Sequence, residues 1–228
     1  MARDEALLEG VGAGRSPATV RLYQWAEPTI SLGYFQPFAD LASLRPPAGD
    51  LPVVRRPTGG GAILHDQELT YSMVLPVSHP LIAGCPNCLY DAAHTAIVRA
   101  FSGLGIELRR AGVTDESGPR RGPFFCFARR HEYDLLLGDE KLAGSAQRRT
   151  RQAVLQHGSI VLRVRYPQQP AATLPHPIDA ALVGRYFADA LCADGRIQLS
   201  PGRWEPGELA SAAELVRKYA GHEWTRRT

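Results

Sequence analysis

Lysine is nearly absent from this 228-residue chain. Of its 26 basic residues only Lys141 and Lys218 are lysines. Ordinary positive charge is carried by arginine, so each lysine marks a place where a compact ammonium suits and a wide guanidinium does not. The chain also lacks a strong charge bias. Its net charge of +3 does not call for a nucleic-acid partner. It lacks an apolar run near the roughly 18 residues that cross a bilayer. The first residues, Met1-Ala2-Arg3-Asp4-Glu5, are charged at once and do not read as a secretory leader. Cysteine is sparse, with Cys85, Cys88, Cys126 and Cys192. That number predicts free thiols and a reducing, cytoplasmic setting rather than a disulfide scaffold. Membrane-spanning, fibrous and low-complexity classes are excluded.

What is present is a globular composition, 44% hydrophobic and 21% charged, with 22 glycines and 18 prolines that predict many turns. The length suits one domain spanning 1–228, with no C-terminal accessory domain. Apolar alternation predicts strands over 19–25, 29–33, 51–56, 62–65, 69–76 and 153–164, with 66–68 as a turn. A hairpin is expected over 132–137 and 140–143, turning at Gly138-Asp139. Helical spacing predicts helices over 4–9, 88–101, 178–191 and 208–219. Residues 111–123 read as a polar loop. The fold class is α+β, with a mixed, largely antiparallel sheet and flanking helices.

Several segments can carry chemistry. Arg55-Arg56-Pro57-Thr58-Gly59-Gly60-Gly61-Ala62 leads to His65-Asp66. Three glycines let a ligand lie against the main chain, and two arginines suit an anion. No Gly-Lys-Ser/Thr follows, so this is not a P-loop, and a glycine-rich hairpin turn explains the spacing equally well. Lys141 precedes the small residues Gly144-Ser145-Ala146 and reads either as a solvated hairpin lysine or as an ammonium in a narrow cleft. Cys126 reads as a buried small hydrophobe or as a nucleophile, which a nearby cation would help ionise. His157-Gly158 sits in a strand where glycine permits close approach. Cys85-Pro86-Asn87-Cys88, with His79 and His94 nearby, could hold zinc, but lacks a second pair. Two incidental cysteines before a helix is the simpler reading, and no metal is expected. The clusters Arg129-Arg130 and Arg148-Arg149-Thr150-Arg151 are a solvated face or a docking surface for an acidic protein.

Taken in order, these segments resemble the lipoate–protein ligase A superfamily. The stretch from Arg55 to Asp66 is similar to its RRxTGGGAxxHD signature. Lys141-Leu142-Ala143-Gly144-Ser145-Ala146-Gln147 is similar to its K-[IVL]-[AS]-G-S-A-Q segment, and Leu155 to Ile160 to its LQHGSI strand. Ser31 to Gln36 and Asp4 to Leu8 also fit, so the resemblance runs from Met1 to about Trp224. Cys126-Phe127-Ala128-Arg129-Arg130-His131-Glu132-Tyr133-Asp134 is similar to the C-F-x-x-P-x-x-Y-[ED] segment of its cysteine-dependent octanoyltransferase branch, with Arg130 in place of the proline.

The resemblance implies a biotin/lipoate protein ligase-like catalytic domain that moves an octanoyl group from octanoyl-acyl carrier protein to a lysine of a lipoyl domain. The acceptor would be the glycine cleavage H protein or a 2-oxoacid dehydrogenase E2. It assigns Cys126 as the acyl carrier and Lys141 as its helper. It places Arg55, Arg56, Thr58, Gly59, Gly60, Gly61, His65, Gly144, Ser145, Ala146, His157 and Gly158 around the substrate. No cofactor is implied, and a monomer is expected. Three alternatives stay open. One is an ATP- and Mg-dependent lipoate ligase, in which Cys126 is incidental. The others are an amidotransferase between lipoyl domains and a non-catalytic acyl-binding protein.

Overall fold

The computed structural model describes residues 1–112 and 123–227. Most of the loop expected over 111–123 lies outside the described residues. The strands are β1 (Thr19–Tyr23), β2 (Thr29–Leu32), β3 (Val53–Arg55), β4 (Ile63–His65), β5 (Gln67–Pro76), β6 (Arg109–Arg110), β7 (Leu135–Leu137), β8 (Glu140–Arg149) and β9 (Ala153–Arg163). The α-helices are α1 (Ala2–Gly12), α2 (Cys88–Gly103), α3 (Ala180–Cys192), α4 (Pro206–Ala220) and α5 (His222–Thr225). Two sheets form. One is six-stranded and antiparallel, in the order β1-β5-β9-β8-β7-β6. The other is three-stranded, in the order β3-β2-β4, with β2 parallel to β3 and antiparallel to β4. The expected α+β class with a mixed, largely antiparallel arrangement is the one found.

Strands β5 and β9 are buried along almost their whole length, on both faces. The alternation expected for 153–164 is therefore not a half-solvated strand. Both faces are covered by other layers. On one face α2 and α3 bury Leu89, Ile97, Phe101 and Phe187 against Tyr71 and Met73. On the other, α1 sets Leu7, Leu8 and Val11 against Val74 and Leu155. Each such large apolar side chain contributes on the order of 1.5–3 kcal/mol by leaving water. The small sheet has its own cluster of Ile30, Leu32, Leu64 and Phe125.

Local chemistry sets the element ends. Asp179 caps α3, accepting from the backbone N–H of Ala181 at 2.8 Å and of Leu182 at 3.1 Å. Glu205 and Glu208 form a capping box on α4, with Pro206 at the first helical position. The β7–β8 hairpin turns at Gly138-Asp139 as expected, with Gly138 at φ +60°. Strand β8 runs six residues beyond the expected end at Ala143, because Gly144 to Arg149 pair with β9. Strand β5 starts at Gln67, inside the expected 66–68 turn.

One expectation is overturned. Cys85 and Cys88 are bonded to each other as a disulfide. The turn leading into α2 brings their Cα atoms to 5.5 Å, within disulfide reach. Neither is an incidental free thiol nor a thiolate ligand for zinc. Cys126 and Cys192 are free. Among the described residues no helix is long and apolar enough to cross a membrane.

Candidate active site

A cleft with about 520 Å³ of empty space, its open mouth included, runs across the large sheet beneath the glycine-rich loop between β3 and β4. Its floor is open because the facing residues of β8 and β9 are small. Gly158 has no room for a side chain, since a Cβ there would stand 2.5 Å from Ser145 Oγ and 2.9 Å from the Gly144 carbonyl oxygen. The wall crosses the strands in spatial order: Gly144 on β8, Ser159 on β9, Thr70 on β5 and Tyr23 on β1. Three strand spacings make this about 14 Å.

Cys126 and Lys141 meet at the β8 end. Cys126 opens a short 3-10 turn, Cys126–Ala128. Its segment is docked on the glycine-rich loop, with Cys126 N–H donating to the Ala62 carbonyl at 2.7 Å and Ala62 N–H to the Phe124 carbonyl at 3.0 Å. Gly61 allows this approach; a Cβ there would sit 3.1 Å from the Phe124 carbonyl and 3.2 Å from Cys126 N. Gly60, at φ +90°, takes a conformation that favours glycine, and a Cβ there would lie 3.9 Å from Cys126 Sγ. Lys141 Nζ stands 3.7 Å from Cys126 Sγ and 3.3 Å from the Cys126 carbonyl oxygen. It is 2.8 Å from Asp134 Oδ2 and 5.2 Å from the centre of the Phe127 ring. Burial pushes the Asp134 carboxyl above its ordinary range despite the lysine beside it.

Arg56 is buried under the loop. Its guanidinium donates to the carbonyls of Ser31 at 3.0 Å, Gly59 at 2.6 Å and Gly61 at 2.7 Å, and to Ser31 Oγ at 3.2 Å. Burial lowers its pKa to about 10, which leaves it charged at neutral pH. Its role in this geometry is to fix the loop that carries Gly60. Ser31 continues the chain to His65 Nε2 at 2.8 Å, and His65 Nδ1 meets Glu68 Oε1 at 2.7 Å. The His65 ring stacks on Trp25 with centroids 4.1 Å apart.

On the floor, His157 Nε2 is 2.6 Å from Thr58 Oγ1, and its Nδ1 is 3.5 Å from Asp4 Oδ2. Burial pushes the His157 pKa down. Asp4 is held far below the ordinary carboxylate range by His157 and Arg21, against the cost of its burial. Ser145 Oγ lies 2.6 Å from Tyr71 Oη and 2.7 Å from His94 Nε2.

The structure thus gathers Cys126, Arg56, Gly59, Gly60, His65, Gly144, Ser145, Ala146, His157 and Gly158 along one cleft, with Lys141 Nζ reaching the thiol. Arg55, Thr58 and Gly61 do not line it. Arg55 turns away and donates to the carbonyls of Gly33, Gln36, Thr225 and Arg227, clamping the C-terminal segment to the 33–36 loop. Thr58 holds His157, and Gly61 faces a neighbouring surface groove with Phe35 and Phe124. Sequence reasoning gave no site role to Trp25, Tyr23, Thr70, Phe127 or Ser159, which also line the cleft. The Tyr23–Trp25 spacing of two was a signal that both point the same way, but not toward what.

A thiol beside an ammonium, in a cleft walled by small residues and aromatic rings, is arranged for nucleophilic attack on the carbonyl carbon of an apolar acyl group. The model of the lipoyl protein ligase A/B catalytic domain matches residues 1–179. Octanoyltransferase LipM of Brevibacillus brevis is 33% identical across 100% of this chain and 94% of its own length. Octanoyltransferase LipM of Kyrpidia tusciae is 35% identical across 100% and 93%. A candidate lipoate protein ligase from T. acidophilum shares the fold with a TM-score of 0.82 at 22% identity, over 100% of this chain and 92% of its own. A lipoate-protein ligase A bound with ATP gives 0.76 at 22% identity, over 99% and 92%.

Proposed function

Since the chain belongs to the lipoyl protein ligase A/B catalytic domain family, we propose that it is an octanoyltransferase that modifies lipoyl domains through a thioester on Cys126. The observation that carries this reading is the 3.7 Å approach of Lys141 Nζ to Cys126 Sγ at one end of an apolar cleft. The octanoyltransferase relatives that match the whole chain support it.

In the first half-reaction the Cys126 thiolate attacks the thioester carbon of octanoyl-acyl carrier protein. The donor's C–S bond breaks and the octanoyl group passes to Sγ. In the second, the ε-amine of an acceptor lysine on a lipoyl domain attacks the same carbon, an amide forms, and Sγ leaves as a thiolate. Lys141 favours the thiolate at both ends. A thioester is converted to an amide, so the chemistry needs no ATP. An eight-carbon acyl chain has about the reach of three extended residues, about 10 Å, and the cleft is about 14 Å across. The substrate therefore lies over Gly144, Gly158 and Ser159, with its tail toward Trp25.

Intact-mass measurement tests the reading. The protein is mixed with octanoyl-acyl carrier protein without ATP, beside a Cys126→Ala variant. A hydroxylamine-labile gain of one octanoyl group by the unaltered protein alone is expected. No gain by either protein, with modification of a lipoyl domain only when lipoate and ATP are supplied, would replace it with the ligase reading.

A further inference from the structure

Lys141 is enclosed, its side chain only 3% exposed. An ammonium in such a place must have its N–H donors met by protein groups. The thiolate chemistry above needs it charged. The carboxylate beside it belongs to Asp134, at 2.8 Å.

Resting on the octanoyl-transfer reading, we propose that Asp134 is a positioning residue of the reaction: it keeps the Lys141 ammonium protonated and aimed at Cys126 Sγ while the sulfur is loaded and unloaded.

The geometry is specific. Lys141 has three N–H donors, and three acceptors surround it: Asp134 Oδ2, the Cys126 carbonyl and Cys126 Sγ. The carboxylate is itself anchored, because Oδ2 also accepts the His131 backbone N–H at 2.7 Å. The Asp134 N–H closes the same turn onto the His131 carbonyl at 2.8 Å. Gly144 leaves the space in which the lysine bends back, and the Phe127 ring covers it. A guanidinium has neither the compactness nor the donor directions for this place.

Other ionisable groups face the pair. From α2, His94 is buried with its pKa lowered to about 4, and Tyr90 is raised to about 12, so both are neutral at pH 7. From the 131–134 turn come His131 and Tyr133, which stack on one another. From the glycine-rich loop comes Arg56, charged but committed to backbone carbonyls. Asp134 is thus the carboxylate paired with Lys141, and Arg56 and Arg129 are further cations on the glycine-rich loop side of the thiol.

The proton account closes. On loading, Sγ–C forms, the donor C–S bond breaks, and the donor sulfur leaves as a thiolate that takes up a proton from water. On unloading, N–C forms, Sγ–C breaks, and the acceptor nitrogen releases its proton to water. Lys141 is an ammonium before and after each step.

The test is the pH dependence of iodoacetamide alkylation at Cys126 in the full chain, read on the Cys126 peptide by mass spectrometry. Wild type, Asp134→Asn, Lys141→Met and the double variant are compared, with octanoyl loading measured in parallel. The proposal expects the onset of reactivity to move up by about one pH unit in Asp134→Asn, a roughly tenfold slower alkylation at pH 7. Lys141→Met should move it at least as far, and the double variant no further. An onset in Asp134→Asn that is unchanged, or lower, overturns the proposal. If Lys141→Met neither moves the onset nor slows octanoyl loading, the failure lies with the thiolate–lysine reading itself. Should Asp134→Asn not fold, Asp134→Glu carries the test. It keeps the charge but shifts it by one methylene, so the onset should stay near wild type while kcat for loading falls and KM holds. An unchanged kcat then overturns the proposal.

Discussion

Gly144 has no side chain because Lys141 occupies that space: a Cβ on Gly144 would stand 2.6 Å from Lys141 Cε and 2.9 Å from Nζ. The two residues lie three apart on β8, and the lysine bends back over the glycine to reach Cys126. Gly144→Ala therefore pushes the ammonium off the thiol without altering either reactive group. Octanoyl loading is expected to fall about 100-fold, the scale of a displacement of about 1 Å in a positioned group. Stopped mass measurement of loading, with the melting temperature as control for folding, checks this.

Arg56, itself buried, satisfies three backbone carbonyls of β2 and the glycine-rich loop. Removing it leaves buried acceptors unpaired, at about 1–3 kcal/mol each. Arg56→Met is expected to destabilise the protein by several kcal/mol in urea unfolding. Arg55→Met, which frees the C-terminal clamp instead, should leave octanoyl loading closer to wild type than Arg56→Met does.

Trp25 lines both the cleft beside Cys126 and a surface groove formed with Pro177, Ile178 and Ala180. It is the wall between them, held by its stack on His65 and by Nε1 donating to Thr70 Oγ1 at 3.1 Å. Trp25→Ala joins the two spaces. The ratio of loading rates for a twelve-carbon over an eight-carbon donor is expected to rise at least about tenfold, a typical size for methylene discrimination by a pocket wall. An unchanged ratio would place the chain-length limit elsewhere.

His94 is buried with its pKa lowered to about 4 by loss of solvent, and His157 is shifted in the same direction. Both hold a proton less readily when folded than when exposed, where a histidine titrates near pH 6.5. The unfolded chain therefore binds more protons below that pH. The stability these groups allow is fully present above about pH 6.5 and is lost as pH falls toward about 4. Urea unfolding at pH 7.5, 6, 5 and 4.5 should show this decline, and His94→Gln should flatten it.

Much of the site could be read from the chain without coordinates. A lysine in an arginine chain, a triple glycine just after two arginines and a cysteine fifteen residues before the lysine pointed to the central groups. Their spacing did not distinguish Arg55 from Arg56. Adjacent residues on a strand point to opposite faces, and only the folded sheet shows that Arg56 turns under the loop while Arg55 turns to the C-terminal segment. Nor did spacing pair Cys85 with Cys88, since a two-residue gap fits a turn with free thiols as well as a disulfide.

The sequence alone determined the local elements, because period and turn chemistry are local quantities. The strands other than β6 and the far half of β8, the Gly138-Asp139 hairpin and the four principal helices follow from them. Tertiary structure decided what the elements share. It buried both faces of β5 and β9, set Asp134 against Lys141 and brought Lys141 to 3.7 Å from Cys126. These are contacts between segments whose register is fixed by packing across the sheet, and packing is a property of the whole chain.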